Sequence, residues 1–463
     1  MTRCRPRHRR CGAHASAAGK RRRRARSHCI AALVAVVLVA GGGAGVRAHP
    51  PVGIAPQPPA TTPRPSSATP TTPVTSWLDD ARAALQAQKL DGWLLFDFRG
   101  QNALALDVIK PRQPSRRWFY LIPAAGEPQL LVHADDVAAF DAPRPLTYRS
   151  WRELDAQLKL LLRGRKRVAM EYSPRLPTLS RVDGGTVDLV RAAGAQVVPS
   201  GDLFTTLRAR WSEPQEKSHR AAAAALTAIK DETFAFIGRS LGRVTEYDAQ
   251  QFVLKSFVDR GLESSGLPIV AAGAHSADPR FVPTPERSER IVVGDVVILS
   301  LAARLRTPVD AVYADQSWVG FVGERPSDEA AHLFAVVRDA RARAQALIEE
   351  RARRTLPLRG FEVDDAARAV AVKAGFGDRY LQRTGHSLDT HPFGDGANLD
   401  DAESRDDRLI LPRTGYVVEP GLYLTKSLGV RSAIDLFVAA DGSVHVTPES
   451  PQRELELIRP AIK

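Results

Sequence analysis

The chain has 463 residues, with 65 Lys+Arg against 52 Asp+Glu and a formal net charge of +13. Its 44% hydrophobic and 25% charged residues exclude wholesale disorder and leave room for two or three domains. Twelve of the basic residues, from Arg3 to Arg47, lie in residues 1–48, which hold no acid, so the remainder carries a net +1. A nearly neutral body without a basic stripe argues against a nucleic-acid partner.

Residues 1–28 are basic, Ile30–Val39 (IAALVAVVLV) are uniformly apolar, and a small-residue stretch ends at Val46-Arg47-Ala48. That order predicts an export signal over 1–48, cleaved after Ala48, and a periplasmic or secreted protein. The apolar run is short for a membrane span. An uncleaved signal anchor in the inner membrane is the alternative, and the only membrane attachment expected. Cys4, Cys11 and Cys29 all fall in this segment, so a processed chain would have no disulfide, thiolate zinc site or cysteine nucleophile. Residues 49–75, rich in Pro, Thr and Ser, read as an extended linker.

From 76 to 208 the spacing predicts an α/β domain. A helix from Trp77 precedes a strand at Asp91–Phe98, and WFYLIP and PQLLVH form a hairpin pattern around Ala-Ala-Gly-Glu. Helices near Trp151–Leu162 and Gly185–Ala193 alternate with strands at Arg167–Tyr172 and Ala195–Ser200. Residues 209–463 read as an α+β domain with an antiparallel sheet flanked by helices. Ser212, with Pro214 in the first turn, starts a helix running to about Gly238. Further helices are expected at Tyr247–Arg260 and Asp328–Arg354. Strands are expected at Gly266–Gly273, Val296–Leu305, Val312–Val322, Gly415–Leu424 and Ile434–Ala440.

Three stretches carry chemistry. Arg383-Thr384-Gly385-His386-Ser387 sets a histidine beside a turn. Gly415-Tyr416-Val417-Val418-Glu419-Pro420-Gly421-Leu422-Tyr423 and Tyr313-Ala314-Asp315-Gln316 each place one carboxylate in an apolar strand. Burying such a carboxylate unpaired costs several kcal/mol, so each needs a partner or a cation. Asp, Glu and His together suit a divalent metal.

These segments, with Gly429-Val430-Arg431-Ser432 and the run from Gly396 to Leu409, resemble the pita-bread metallopeptidase family of creatinase, methionine aminopeptidase, aminopeptidase P and prolidase. The similarity is strongest to its bacterial Xaa-Pro peptidase branch. It implies a creatinase-like N-terminal domain (76–208), a pita-bread domain (209–463), and Xaa-Pro aminopeptidase or dipeptidase chemistry. Its metals are Mn, Co or Zn, and its substrate is a peptide with proline second. Family members are often homodimers.

The resemblance also implies five metal ligands, in order Asp, Asp, His, Glu, Glu, holding two ions. Asp315, His386 and Glu419 match the second Asp, the His and the first Glu. Ser300 and Ala433 occupy the positions of the first Asp and last Glu, and Arg280 and Phe393 those of two auxiliary histidines. One surviving carboxylate does not make the second metal site, whereas three ligands can hold one catalytic ion. Asp435, two residues beyond Ala433, is a candidate replacement that needs a bulge to reach. Arg280, His391, Phe393 and Arg431 are the candidate pocket residues, and no residue is assigned a catalytic role. The expectation is an exported Xaa-Pro-peptidase-like protein with impaired or absent hydrolysis, holding one divalent ion or none. An active one-metal peptidase and a peptide-binding module are the alternatives.

Overall fold

The structure, a computed structural model, describes residues 77–460. The expected export signal, the linker and the three cysteines lie outside the described residues. Those residues fall in one compact unit, Thr71–Lys463. Among them no helix is long and apolar enough to cross a membrane.

The first part contains α1 (Trp77–Ala87), β1 (Gly92–Asp97), α2 (Ala103–Ile109), β2 (Trp118–Pro123), β3 (Gln129–His133), β4 (Leu146–Tyr148), α3 (Trp151–Leu161), β5 (Arg167–Met170), α4 (Gly184–Ala192), β6 (Gln196–Pro199) and α5 (Gly201–Arg208). The six strands form one mixed sheet in the order β4-β3-β2-β1-β5-β6. The β1–β2–β3 pairs are antiparallel, and β1–β5, β5–β6 and β3–β4 are parallel. Along β1, Leu94 and Phe96 enter one apolar cluster while Trp93 and Leu95 enter the other. Both faces are covered, which is why this strand reads as a continuous apolar run rather than an alternating one. The two short helices α2 and α5 are additions to the elements expected from sequence spacing. Asn102 starts α2, its side-chain oxygen accepting from Ala105 N–H.

The second part opens with α6 (Glu213–Arg239), where Ser212 and Gln215 form a reciprocal capping box, then α7 (Glu246–Asp259). It continues through β7 (Leu262–Glu263), β8 (Ile269–Ala272), β9 (Val296–Leu305), β10 (Ala314–Val322), α8 (Asp328–Arg353), α9 (Gly360–Lys373), β11 (Gly385–Leu388), β12 (Thr414–Val418), β13 (Gly421–Tyr423), β14 (Gly429–Arg431), β15 (Ile434–Val438), β16 (Val444–Thr447) and β17 (Glu456–Ile458). One sheet runs β17-β10-β9-β7 with β8 also on β9, a second runs β11-β12-β15-β16, and β13 pairs β14. Most pairings are antiparallel, as expected; β17 joins β10 in parallel. Helices α6 and α7 pack on β9 and β10, and α8 and α9 pack on β12 and β15. The arrangement is an α/β part followed by an α+β part whose largely antiparallel sheets are flanked by helices, as expected.

One expected element is corrected. The single strand read at Gly415–Leu424 is two, β12 and β13, in different sheets. Pro420 has no N–H to give a ladder, so pairing stops there. The backbone N–H of Glu419 turns instead to the Thr384 carbonyl, at 2.7 Å. The break places Glu419 at the junction between the two sheets.

Candidate functional site

His386 sits on β11 opposite Val417 of β12, which in turn pairs Asp435 of β15. Because side chains alternate along a strand, Ala433 and Asp435 share the sheet face of His386. On the other sheet, Asp315 is the second residue of β10, directly opposite Ala302, while Ser300 faces Ser317. An isolated antiparallel bridge from Ala433 to Ser317 brings the sheets together.

The three surviving ligand positions do meet. The His386 Nε2 lies 3.7 Å from Asp315 Oδ2 and 3.6 Å from Glu419 Oε1. His386 Nδ1 donates to the Ser387 carbonyl at 2.9 Å, which leaves Nε2 as an acceptor facing two carboxylates. The imidazole is 2% exposed, and burial lowers its pKa, so it is neutral at pH 7. Burial and the Glu419 charge together push Asp315 up to about 7, with Arg431 pulling the other way.

These side chains line a cavity of about 330 Å³ together with Ser300, Ala302, Gln382, Arg383, Phe393, Glu403, Arg431 and the Ser264–Leu267 loop. Arg431 is 7% exposed and its Nε has no hydrogen-bond partner. Burial opposes its charge, but Tyr423, Glu419 and Asp315 hold its pKa above the ordinary value. Phe393 leans its ring on His386, with centroids 4.7 Å apart, yet remains 66% exposed.

Two pocket candidates, Arg280 and His391, are not brought to the cavity. Arg280 is exposed, its backbone N–H bound by Asp278 in a turn. His391 is exposed as well, its carbonyl accepting from Asp389 N–H. His275 lies elsewhere, 2.8 Å from the buried Glu246 and stacked on Phe281. Ser300 donates to or accepts from Ser317 Oγ at 2.7 Å. Asp435 is fully buried and accepts the Asp315 backbone N–H at 3.2–3.3 Å, rather than joining the cavity. Burial and Asp315 push its pKa well above the carboxylate range.

Sequence reasoning missed Gln382, Arg383, Glu403 and the Ser264–Leu267 rim. Gln382 and Arg383 stood next to the Thr384-Gly385-His386 motif. Glu403 and the rim loop carried no local signal, since only the tertiary fold brings them in.

Residues 214–440 match metallopeptidase family M24. They form an M24 domain. The chain is 26% identical over 338 residues to a probable dipeptidase PepE of Mycobacterium tuberculosis, covering 70% of this chain and 82% of that protein. In fold it is similar to the crystal structure of dipeptidase PepE from Mycobacterium ulcerans (TM-score 0.56, 20% identity, 83% and 97% of the two chains). It is likewise similar to that of a recombinant prolidase from Thermococcus sibiricus (TM-score 0.52, 19% identity, 84% and 100%).

M24 members typically depend on divalent Mn, Co or Zn. The residues of this M24 domain do not fit that group. Ser300 and Ala433, which the resemblance sets at the first Asp and last Glu positions, offer no carboxylate. Among the described residues no set of three or more His, Cys, Asp or Glu side chains is arranged to hold even one ion.

Proposed function

We propose that this M24 protein is an exported Xaa-Pro-peptidase-like protein whose cleft binds peptide without carrying out two-metal hydrolysis. The observation that carries the reading is the side-chain complement at the two lost-ligand positions. Ser300 and Ala433 lie beside the strand of Asp315, where carboxylates would complete a centre, and present a hydroxyl and a methyl. Two-metal amide hydrolysis needs one ion to polarise the carbonyl while both activate the water. That demand is unmet by one neutral histidine and two carboxylates. The retained cleft, with its apolar rim, supports peptide as the ligand class, proline second being the form the family reads.

The test is turnover. Protein stripped with EDTA and reloaded with Mn²⁺, Co²⁺ or Zn²⁺ is expected to leave Leu-Pro and longer Xaa-Pro peptides intact; metal-dependent release of the first residue would overturn the reading. Export rests on the basic, apolar and small-residue order of residues 1–48. N-terminal sequencing of the exported protein is expected to begin at His49. A membrane-retained, uncleaved chain would establish the signal-anchor alternative.

A further inference from the structure

The cavity brings three acceptor atoms together at one point. His386 Nε2, Asp315 Oδ2 and Glu419 Oε1 converge with separations of 3.6–3.7 Å from the histidine. The tautomer is fixed by the Nδ1 hydrogen bond, so the imidazole contributes no proton to either carboxylate. Such a cluster of lone pairs is satisfied by a species that brings several donors and positive charge to a single point.

Two further observations describe the rest of such a ligand. The buried Arg431 lines the cavity, a guanidinium on the same wall as the carboxylates and a source of donors for a carbonyl or carboxylate oxygen. At the mouth, Leu267 is 57% and Phe393 66% exposed, with Ile269 and Pro392 beside them. An apolar rim over an acidic floor suits a cation bearing an apolar group.

We propose that the space occupied by metal in active M24 enzymes takes, in this protein, the α-ammonium group of an amino-acid derivative or short peptide with an apolar first side chain. The three N–H donors of an ammonium group are met by His386 Nε2, Asp315 and Glu419. The ligand's carbonyl oxygen accepts from the Arg431 guanidinium, and its side chain rests against Leu267 and Phe393. The protein thus reads a free peptide N-terminus by charge and leaves it uncut. This inference rests on the reading that the cleft binds without two-metal hydrolysis.

The experiment is calorimetric titration of the full-length protein at pH 6.5 in EDTA, with leucinamide and N-acetyl-leucinamide as probes. Leucinamide, whose amine is protonated at this pH, is expected to bind at least tenfold more tightly than its acetylated analogue. Addition of Mn²⁺ in place of EDTA is expected to leave that affinity unchanged, and Glu419→Gln to weaken it at least tenfold. Equal affinity for the two probes, a requirement for Mn²⁺, or an unchanged Glu419→Gln affinity would each overturn the proposal. The probe comparison on the unmutated protein decides the matter should the variant misfold. Turnover of Leu-Pro with Mn²⁺ would instead remove the underlying reading. Absent turnover together with equal probe affinities removes the ammonium site alone.

Discussion

Ser300 and Ala433 face the same residue, Ser317, from its two flanking strands. Ser300 meets it side chain to side chain at 2.7 Å, and Ala433 meets it through a backbone hydrogen bond of 3.0 Å. Directly paired residues project to one sheet face, and Asp315, two positions before Ser317, shares that face. The two positions that lack a carboxylate are therefore neighbours around one point beside Asp315.

The double variant Ser300→Asp plus Ala433→Glu is accordingly expected to raise Mn²⁺ stoichiometry toward two, measured by calorimetry on the full chain. Without metal, the added carboxylates crowd Asp315 and are expected to cost roughly 2–4 kcal/mol of stability. Mn²⁺ is expected to restore it, read as a rise in the thermal midpoint. Unchanged stoichiometry would mean that Ala302, which stands opposite Asp315, is the correct position rather than Ser300.

Asp364 of α9 underpins the histidine segment. It is fully buried and accepts from Thr384 N–H at 2.9 Å, from Thr384 Oγ1 at 2.5 Å, from Asp401 N–H at 2.9 Å and from Arg368. Thr384 in turn supplies the carbonyl that holds Glu419 N–H. Asp364→Ala is expected to lower stability by about 3 kcal/mol, since it leaves buried donors and the Arg368 guanidinium without their acceptor. Urea unfolding measures this, and Asp364→Asn is expected to lose less because one amide oxygen still accepts.

His219 gives the fold an acid sensitivity. Its ring is buried, with Nδ1 donating to the Tyr313 carbonyl and Nε2 accepting from Thr447, and burial pushes its pKa down to about 4. The unfolded chain binds this proton near pH 6.5 and the folded chain does not, so stability is lost as pH falls from about 6.5 toward 4. The full effect is about 3 kcal/mol. The pH dependence of unfolding, compared between the native protein and His219→Gln, is expected to show this slope only in the former. Asp435, 3.8 Å from His219, acts with the opposite sign. Its raised pKa means it keeps a proton in the folded state, and its contribution declines as pH rises.

Gly385 marks where β11 and β12 approach most tightly. A Cβ there would collide with the Val417 carbonyl, which backbone cannot yield cheaply. Gly385→Ala is expected to cost about 3 kcal/mol and to displace His386, weakening leucinamide binding in the same calorimetric assay. A variant with unaltered stability and affinity would show that the strands can separate freely.

Much of this was legible along the chain. The Ser212 cap, the α8 stripe and the β9 and β10 runs obey local rules of capping and periodicity, and the motifs around Asp315, His386 and Glu419 place three side chains that do meet. What was not legible depends on contacts between distant segments. Arg280 and His391 sit at the right chain positions for a pocket but in turns whose hydrogen bonds leave their side chains outward. Arg431 carried a motif but gave no sign that it would be buried beside Asp315 and Glu419 at the cavity wall. Helix α9 had a readable signal in Val363, Ala367 and Ala371, spaced by four and all buried. The chain break at Pro420 could have been taken from the proline itself.

The bridge between Ala433 and Ser317 is made entirely of main-chain atoms, which every residue other than proline supplies in the same form. The strand at Ala433 is thus held in place by atoms that owe nothing to its side chain. A change of side chain at 433 therefore leaves this junction of the two sheets intact, and the scaffold of the cleft is indifferent to which side chain stands there.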